Sequence, residues 1–242
     1  QLAEWHGPYW LRWHVPAPES GADHGRTVRL SLRAASQLYW NGMPWISNGA
    51  VGRTPEEEKP GRVDVVRVLP PPSGNATDEL LVLASSQQQR FALHGADAMV
   101  LIAPAPVLYG QIILPWLIAA FATGALAAAC LYFLAVLRGQ TRTPGARLLL
   151  ALGVVGLALP AVEAWRSLLG YTYPWHGVRL VGLLALHVAA AMLLPAYLAR
   201  RFEVALPRAG CLIYLALIMA AAIALPGFDT RSAAVLLLSL LA

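Results

Sequence analysis

Residues 107–137 read VLYGQIILPWLIAAFATGALAAACLYFLAVL, 31 positions without one charged side chain. A bilayer core about 30 Å thick is crossed by roughly 20 helical residues, so this stretch spans with length to spare. Three further apolar runs follow it: 148–169, with Glu163 and Arg166 near its far end; 178–199, with His187 near its middle; and 209–226. A fifth begins at Ser232 and has 11 residues before the chain stops. That is too few to cross, which predicts a chain that ends inside a helix and a natural protein that continues. The composition agrees, with 57% hydrophobic and 13% charged residues against about 25% charged in a soluble domain. It excludes a disordered tail and argues against an ordinary cytosolic enzyme.

The formal net charge of +5 divides unevenly at Pro106. Before it stand nine Lys/Arg and ten Asp/Glu; after it stand nine Arg against only Glu163, Glu203 and Asp229. The excess basicity therefore lies in the apolar half, where it orients membrane spans rather than binding nucleic acid. Loops 138–147 and 200–208 together carry +5, whereas 163–179 and 227–231 carry +1. Arginine is retained on the cytoplasmic side, so the amino-terminal part is expected outside, in the periplasm of a bacterial inner membrane. Tyr171, Tyr173, Trp175 and His176 then fall at the outer interface, where amphipathic rings settle. Cys130 and Cys211 both lie in apolar runs and form no disulfide framework or zinc-type spacing.

Upstream of the first span the period changes to two. Tyr9, Leu11, Trp13 and Val15 alternate with Trp10, Arg12 and His14, and Val28, Leu30 and Leu32 alternate with Thr27, Arg29, Ser31 and Arg33. Each is a half-buried strand. Leu38-Tyr39-Trp40 runs into Asn41-Gly42, a dipeptide at ease with positive φ and so a tight-turn signal. Residues 62–69 and 80–84 supply two more strands, the second apolar on both faces and hence central, and 97–103 a last one. Six or more short strands with turn-rich connections and no amphipathic helix predict a β-sandwich over 1–103. A linker, Pro104-Ala105-Pro106, and an α-helical transmembrane bundle over 107–242 complete the expected organisation.

The run VRLSLRAASQLYWNG, a long loop, and then RVDVVRVLPPPSGNATDELLVLASS resemble the jelly-roll, galactose-binding-like modules. In these a strand ends in an Asn-Gly hairpin and a later Gly-Asn segment with a hydrophobic strand closes the sandwich. Joined to several spans, the chain resembles the bacterial seven-transmembrane receptors with diverse intracellular signalling modules. The resemblance implies an input module that reads a small ligand such as a carbohydrate, or a periplasmic partner protein. It also implies dimeric signalling to a histidine kinase or diguanylate cyclase. The alternative is a membrane-anchored carbohydrate-binding or assembly subunit without signalling output.

Candidate ligand residues are aromatic or lie in the loop 48–61. Trp13 and Trp40 point inward by alternation and belong to the core. Trp10 faces outward and Trp45 follows the turn, so these two either stack on a ligand ring or pack onto loops. Asn48 and Arg53 sit in a loop that also carries Glu56, Glu57 and Glu58 and reads either as a binding loop or as a solvated acidic one. In the membrane half, Glu163 and Arg166 stand one helical turn apart and either neutralise each other, form the bottom of a ligand cavity or serve coupling. His187 is expected as a neutral imidazole bonded to a carbonyl of a neighbouring helix, with proton sensing or metal binding as the functional alternative. His6, His14, His24 and His94 show no paired spacing, so no metal site, no cofactor and no catalytic constellation is assigned.

Overall fold

A computed structural model describes residues 7–16, 25–89, 98–139, 145–205 and 207–241. Trp5, His6, His24, His94, Asp97 and residues 140–144 of the basic loop lie outside the described residues. Seven strands lead the described chain: β1 (Tyr9–Pro16), β2 (Arg26–Ser31), β3 (Ala35–Trp40), β4 (Met43–Asn48), β5 (Asp64–Val68), β6 (Thr77–Ser85) and β7 (Met99–Pro104). Every pairing is antiparallel, giving a four-stranded sheet β1-β6-β3-β4 and a three-stranded sheet β5-β2-β7.

Asn41 and Gly42 both take left-handed backbone, at φ 48° and 79°. That is the two-residue turn whose twist matches the flanking strands, and it sets Trp40 opposite Met43. The strand 80–84 is central, between β1 and β3. Its inward residues Leu80, Val82 and Ala84 are fully buried and share one core with Val15, Val28, Leu30, Leu32, Leu38, Trp40 and Leu69. These residues come from both sheets, so the two sheets bury their inner faces on a common core. Trp13 is only partly buried and packs at the margin of that core. Thr27 and Ser31, expected on the outer face of β2, are also buried.

Strand β7 passes into α1 (Ala105–Gly139) without a loop. Pro104 closes the strand opposite Arg26, and Pro106 sits in the first helical turn, where a missing N–H costs nothing. Beyond come α2 (Ala146–Leu168), α3 (Pro174–Phe202), α4 (Arg208–Ala224) and α5 (Phe228–Leu241). The first three are long and apolar enough to cross a membrane, with mean hydropathy 2.1, 2.0 and 2.0. The fourth expected span is shorter, a 17-residue helix. It stops at Ala224 because Leu225 precedes a proline, which disfavours helical backbone; Leu225 is extended at φ −76°, ψ 145°. Pro160 and Pro195 lie inside continuous helices, as does Pro115.

The chain forms two compact units, Gln1–Leu114 with Leu169–Val178, and Pro115–Leu168 with Arg179–Ala242. The first thus joins the strands to the opening turns of α1 and to the α2–α3 connector. Within the second, α3, α4 and α5 meet on Ala191, Ile218, Ala221 and Val235, and the Tyr214 hydroxyl donates to the Ala191 carbonyl at 2.9 Å. Gly153 of α2 lies so near α1 that a Cβ there would overlap Cys130 Sγ, the close approach small residues allow between apolar helices.

Candidate functional site

The α2–α3 connector is built into the strand domain. Gly170 takes a positive φ of 62° and ends the helical path, and the next residues run extended beside residues 61–63. Val63 N donates to the Tyr171 carbonyl at 3.2 Å and Tyr173 N to the Gly61 carbonyl at 2.9 Å, with Arg62 and Thr172 opposite each other in an antiparallel bridge. Tyr171, Tyr173 and His176, expected at a lipid interface, are buried here instead; Trp175 remains 44% exposed. The Tyr171 hydroxyl bonds His176 Nδ1 at 2.7 Å, with the rings stacked.

Behind the connector lies a buried carboxylate, Glu58, only 2% exposed. It accepts hydrogen bonds from the Tyr173 and Ser85 hydroxyls and from the backbone N–H groups of Gln87 at 3.0 Å and Gln88 at 3.4 Å. Gln88 N also donates to the Tyr173 hydroxyl oxygen at 2.8 Å. Burial and the bond to Glu58 push the Tyr173 hydroxyl far above the ordinary tyrosine range, so it stays a proton donor. The segment 49–61 is further tied by Gln87 Nε2 to the Arg53 carbonyl and Gln88 Nε2 to the Pro55 and Glu58 carbonyls. Of its three consecutive glutamates, Glu56 and Glu57 are solvated while Glu58 is a structural centre. That corrects the reading of the whole run as a solvated acidic loop.

Beside the connector opens a cleft of about 760 Å³, within the range of small-ligand sites. It runs along β4 and β5, the outer strands of the two sheets. Ile46, Pro60, Val65 and Val66 give it apolar walls, and Ser47, Arg62, Asp64, Arg67, Tyr109 and Thr172 its polar groups. Tyr109 belongs to α1 and Thr172 to the connector, so the cleft touches chain that leads into α1, α2 and α3. Asp64 pairs with Arg29 at 3.3 Å.

The sequence candidates fall in several places. Asn48 lines the cleft, but its side chain is spent on backbone: Nδ2 donates to the Arg62 carbonyl and Oδ1 accepts from Arg62 N, both at 2.8 Å. Arg53 is exposed on the tied segment, away from the cleft lining. Trp45 packs against the core with its ring 6.0 Å from that of Trp40. Trp10, 58% exposed, lies on the outer face of the four-stranded sheet with Tyr39, their rings 5.6 Å apart. In the helical unit Glu163 meets Arg179 of α3, whose Nη2 lies 2.5 Å from its carboxylate. Arg179 is 5% exposed and also donates to the Val162 and Glu163 carbonyls. Arg166 lies in the last turn of α2. His187 Nδ1 bonds the Leu183 carbonyl at 2.8 Å, one turn back on its own helix rather than across to a neighbour.

Sequence reasoning passed over Arg62, Tyr109, Thr172 and the Glu58–Tyr173 pair. The strand-like alternation of Tyr171 and Tyr173 after Gly170 was the available signal for an extended connector. No family model, curated protein or solved structure matches this chain.

Proposed function

We propose that the chain is the sensory input module of a bacterial membrane receptor: a periplasmic jelly-roll domain takes a small ligand and passes the event to a helical membrane region. The observation that carries this reading is the cleft, whose walls include Tyr109 of α1 and Thr172 of the α2–α3 connector. A ligand seated there meets the root of α1 directly and the roots of α2 and α3 through their connector. It shifts an equilibrium among helix arrangements to the extent that it binds one arrangement more tightly. The Tyr173–Glu58 bond holds the connector docked against the strands. The signalling output, a histidine kinase or a diguanylate cyclase, and the homodimer that such outputs use, follow the family resemblance.

The chain changes sheet at every connection except the β3–β4 hairpin, which supports the jelly-roll reading. In this reading the connector, docked against the strands, shares their side of a membrane crossed by α1 and α2. The arginine-rich segment 200–208 would then fall on the other side, and its charge supports a periplasmic strand domain by the positive-inside rule. Impermeant maleimide should label Glu56→Cys in intact cells and Arg201→Cys only after the membrane is opened; the reverse order overturns the placement. In bilayers, ligand should change the distance between spin labels at Arg147 and Arg201. An unchanged distance at saturation favours the second reading, a membrane-anchored binding or assembly subunit. That reading draws on the exposed Trp10 and Tyr39 pair, flanked by the Arg12–Glu79 ion pair at 2.8 Å, a surface suited to a sugar ring.

A further inference from the structure

Resting on the ligand cleft just described, we infer that its occupant carries a phosphate or carboxylate group, and that Arg62 is the residue that receives it. Three charged side chains line the cleft: Arg62, Arg67 and Asp64. Asp64 is already neutralised by Arg29, so the cleft keeps a surplus of positive charge. Arg62 is exposed, and among the described residues its hydrogen bonds are all through backbone, in the clamp from Asn48 beside the strand bridge to Thr172. The clamp fixes the main chain of Arg62 from both its N–H and its carbonyl and leaves the guanidinium free to meet an anion. A planar guanidinium with paired N–H groups matches phosphate and carboxylate oxygens. The hydroxyls of Thr172, Ser47 and Tyr109 in the same lining supply neutral donors for the remaining oxygens.

Arg67 is the second cation, at most about 17 Å along the extended chain from Arg62. One of its N–H groups goes to the Val66 carbonyl at 2.8 Å, so it raises the local potential and offers a second point of attachment. Tyr109 stands one turn inside α1, the depth at which aromatic residues meet lipid headgroups. The anion therefore has two sources, the headgroup of an anionic phospholipid or a soluble organic anion.

The test uses the whole chain in nanodiscs. In discs of phosphatidylcholine alone, binding of glucuronate and of inorganic phosphate is compared with binding of glucose by calorimetry. In the second arm, discs with and without phosphatidylglycerol are compared by thermal unfolding. A soluble source gives at least tenfold tighter binding of either anion than of glucose. A lipid source gives a rise in Tm with phosphatidylglycerol that fades with salt. In either arm Arg62→Ala should remove most of the effect and Arg67→Ala a smaller part. Absence of anion preference in both arms, or its survival in Arg62→Ala, overturns the inference. Val66→Trp, which fills the cleft, separates this from the underlying reading. If it abolishes binding of a neutral sugar that Arg62→Ala leaves intact, the anion inference falls and the cleft stands. If anion binding is unaffected by Val66→Trp, the cleft itself is the wrong place.

Discussion

In the strand-built unit one carboxylate, Glu58, gathers two hydroxyls and two backbone N–H groups from two distant stretches of the chain, 85–88 and Tyr173. In the helical unit α1 and α2 meet at a glycine against a thiol, Gly153 on Cys130. The contrast follows from the surroundings each unit is suited to. Water supplies a hydrophobic driving force, which the shared core of Leu30, Leu38, Leu80 and Val82 uses. Buried polar groups then fix which loops dock where, because an orphaned one is costly. Lipid supplies no such force between apolar helices, so small residues and a few polar ties such as Arg179 to Glu163 remain. Polar specification in one half and steric specification in the other should respond differently to substitution.

The largest effect is expected from Glu58→Ala, which strands the Tyr173 and Ser85 hydroxyl protons and the Gln87 N–H together. A loss of about 3 kcal/mol or more is expected in urea unfolding followed by tryptophan fluorescence. A loss below about 1 kcal/mol would mean that the polar centre specifies nothing. Next comes Gly49→Ala: the glycine stands at φ +80°, and a Cβ would run into the Lys59 carbonyl. Backbone cannot swing aside as a side chain can, so about 2 kcal/mol is expected by the same measurement.

Acid should act on the strand unit through Asp78. Burial pushes this carboxyl up, but hydrogen bonds from Ser73 and Asn41, with the Arg26 charge, outweigh burial and hold it below its ordinary range. The unfolded chain then binds more protons near pH 4, so this contribution is whole above that pH and lost as pH falls through the folded value. The urea midpoint should drop more steeply with acid in the wild type than in Asp78→Asn; parallel profiles would remove Asp78 from the account. The smallest effect is expected in the helices. Gly153→Ala meets only a thiol that can rotate, and about 1 kcal/mol or less should be lost in detergent unfolding. A loss matching that of Glu58→Ala would erase the contrast between the units.

What the sequence disclosed was local. Asn41-Gly42 announced its turn because both backbone angles belong to those two residues, and Leu80 to Ala84 announced a central strand through its own apolarity. The three long helices were legible from length and hydropathy alone. Glu58 was not, since its environment is made by Ser85 to Gln88 about thirty positions away and by Tyr173, 115 positions away. Beside two solvated glutamates, nothing local distinguishes it. Glu163 was matched to Arg166 because a helix brings i and i+3 together, whereas its bond to Arg179 depends on where α3 lies against α2. The cleft is assembled from β4, β5, α1 and the connector, and no single stretch of sequence contains it.

The passage of β7 into α1 without a loop also bears on how this protein would be degraded. Proteases cut where backbone can be pulled out and threaded through an active site, typically at exposed loop tips. At this junction the last strand residue is paired with Arg26, the next is helical, and Leu108 one turn on is completely buried. Shedding of the strand domain at its root would therefore require unfolding first. Limited digestion should leave 98–114 intact as a joined piece long after other exposed turns have been nicked.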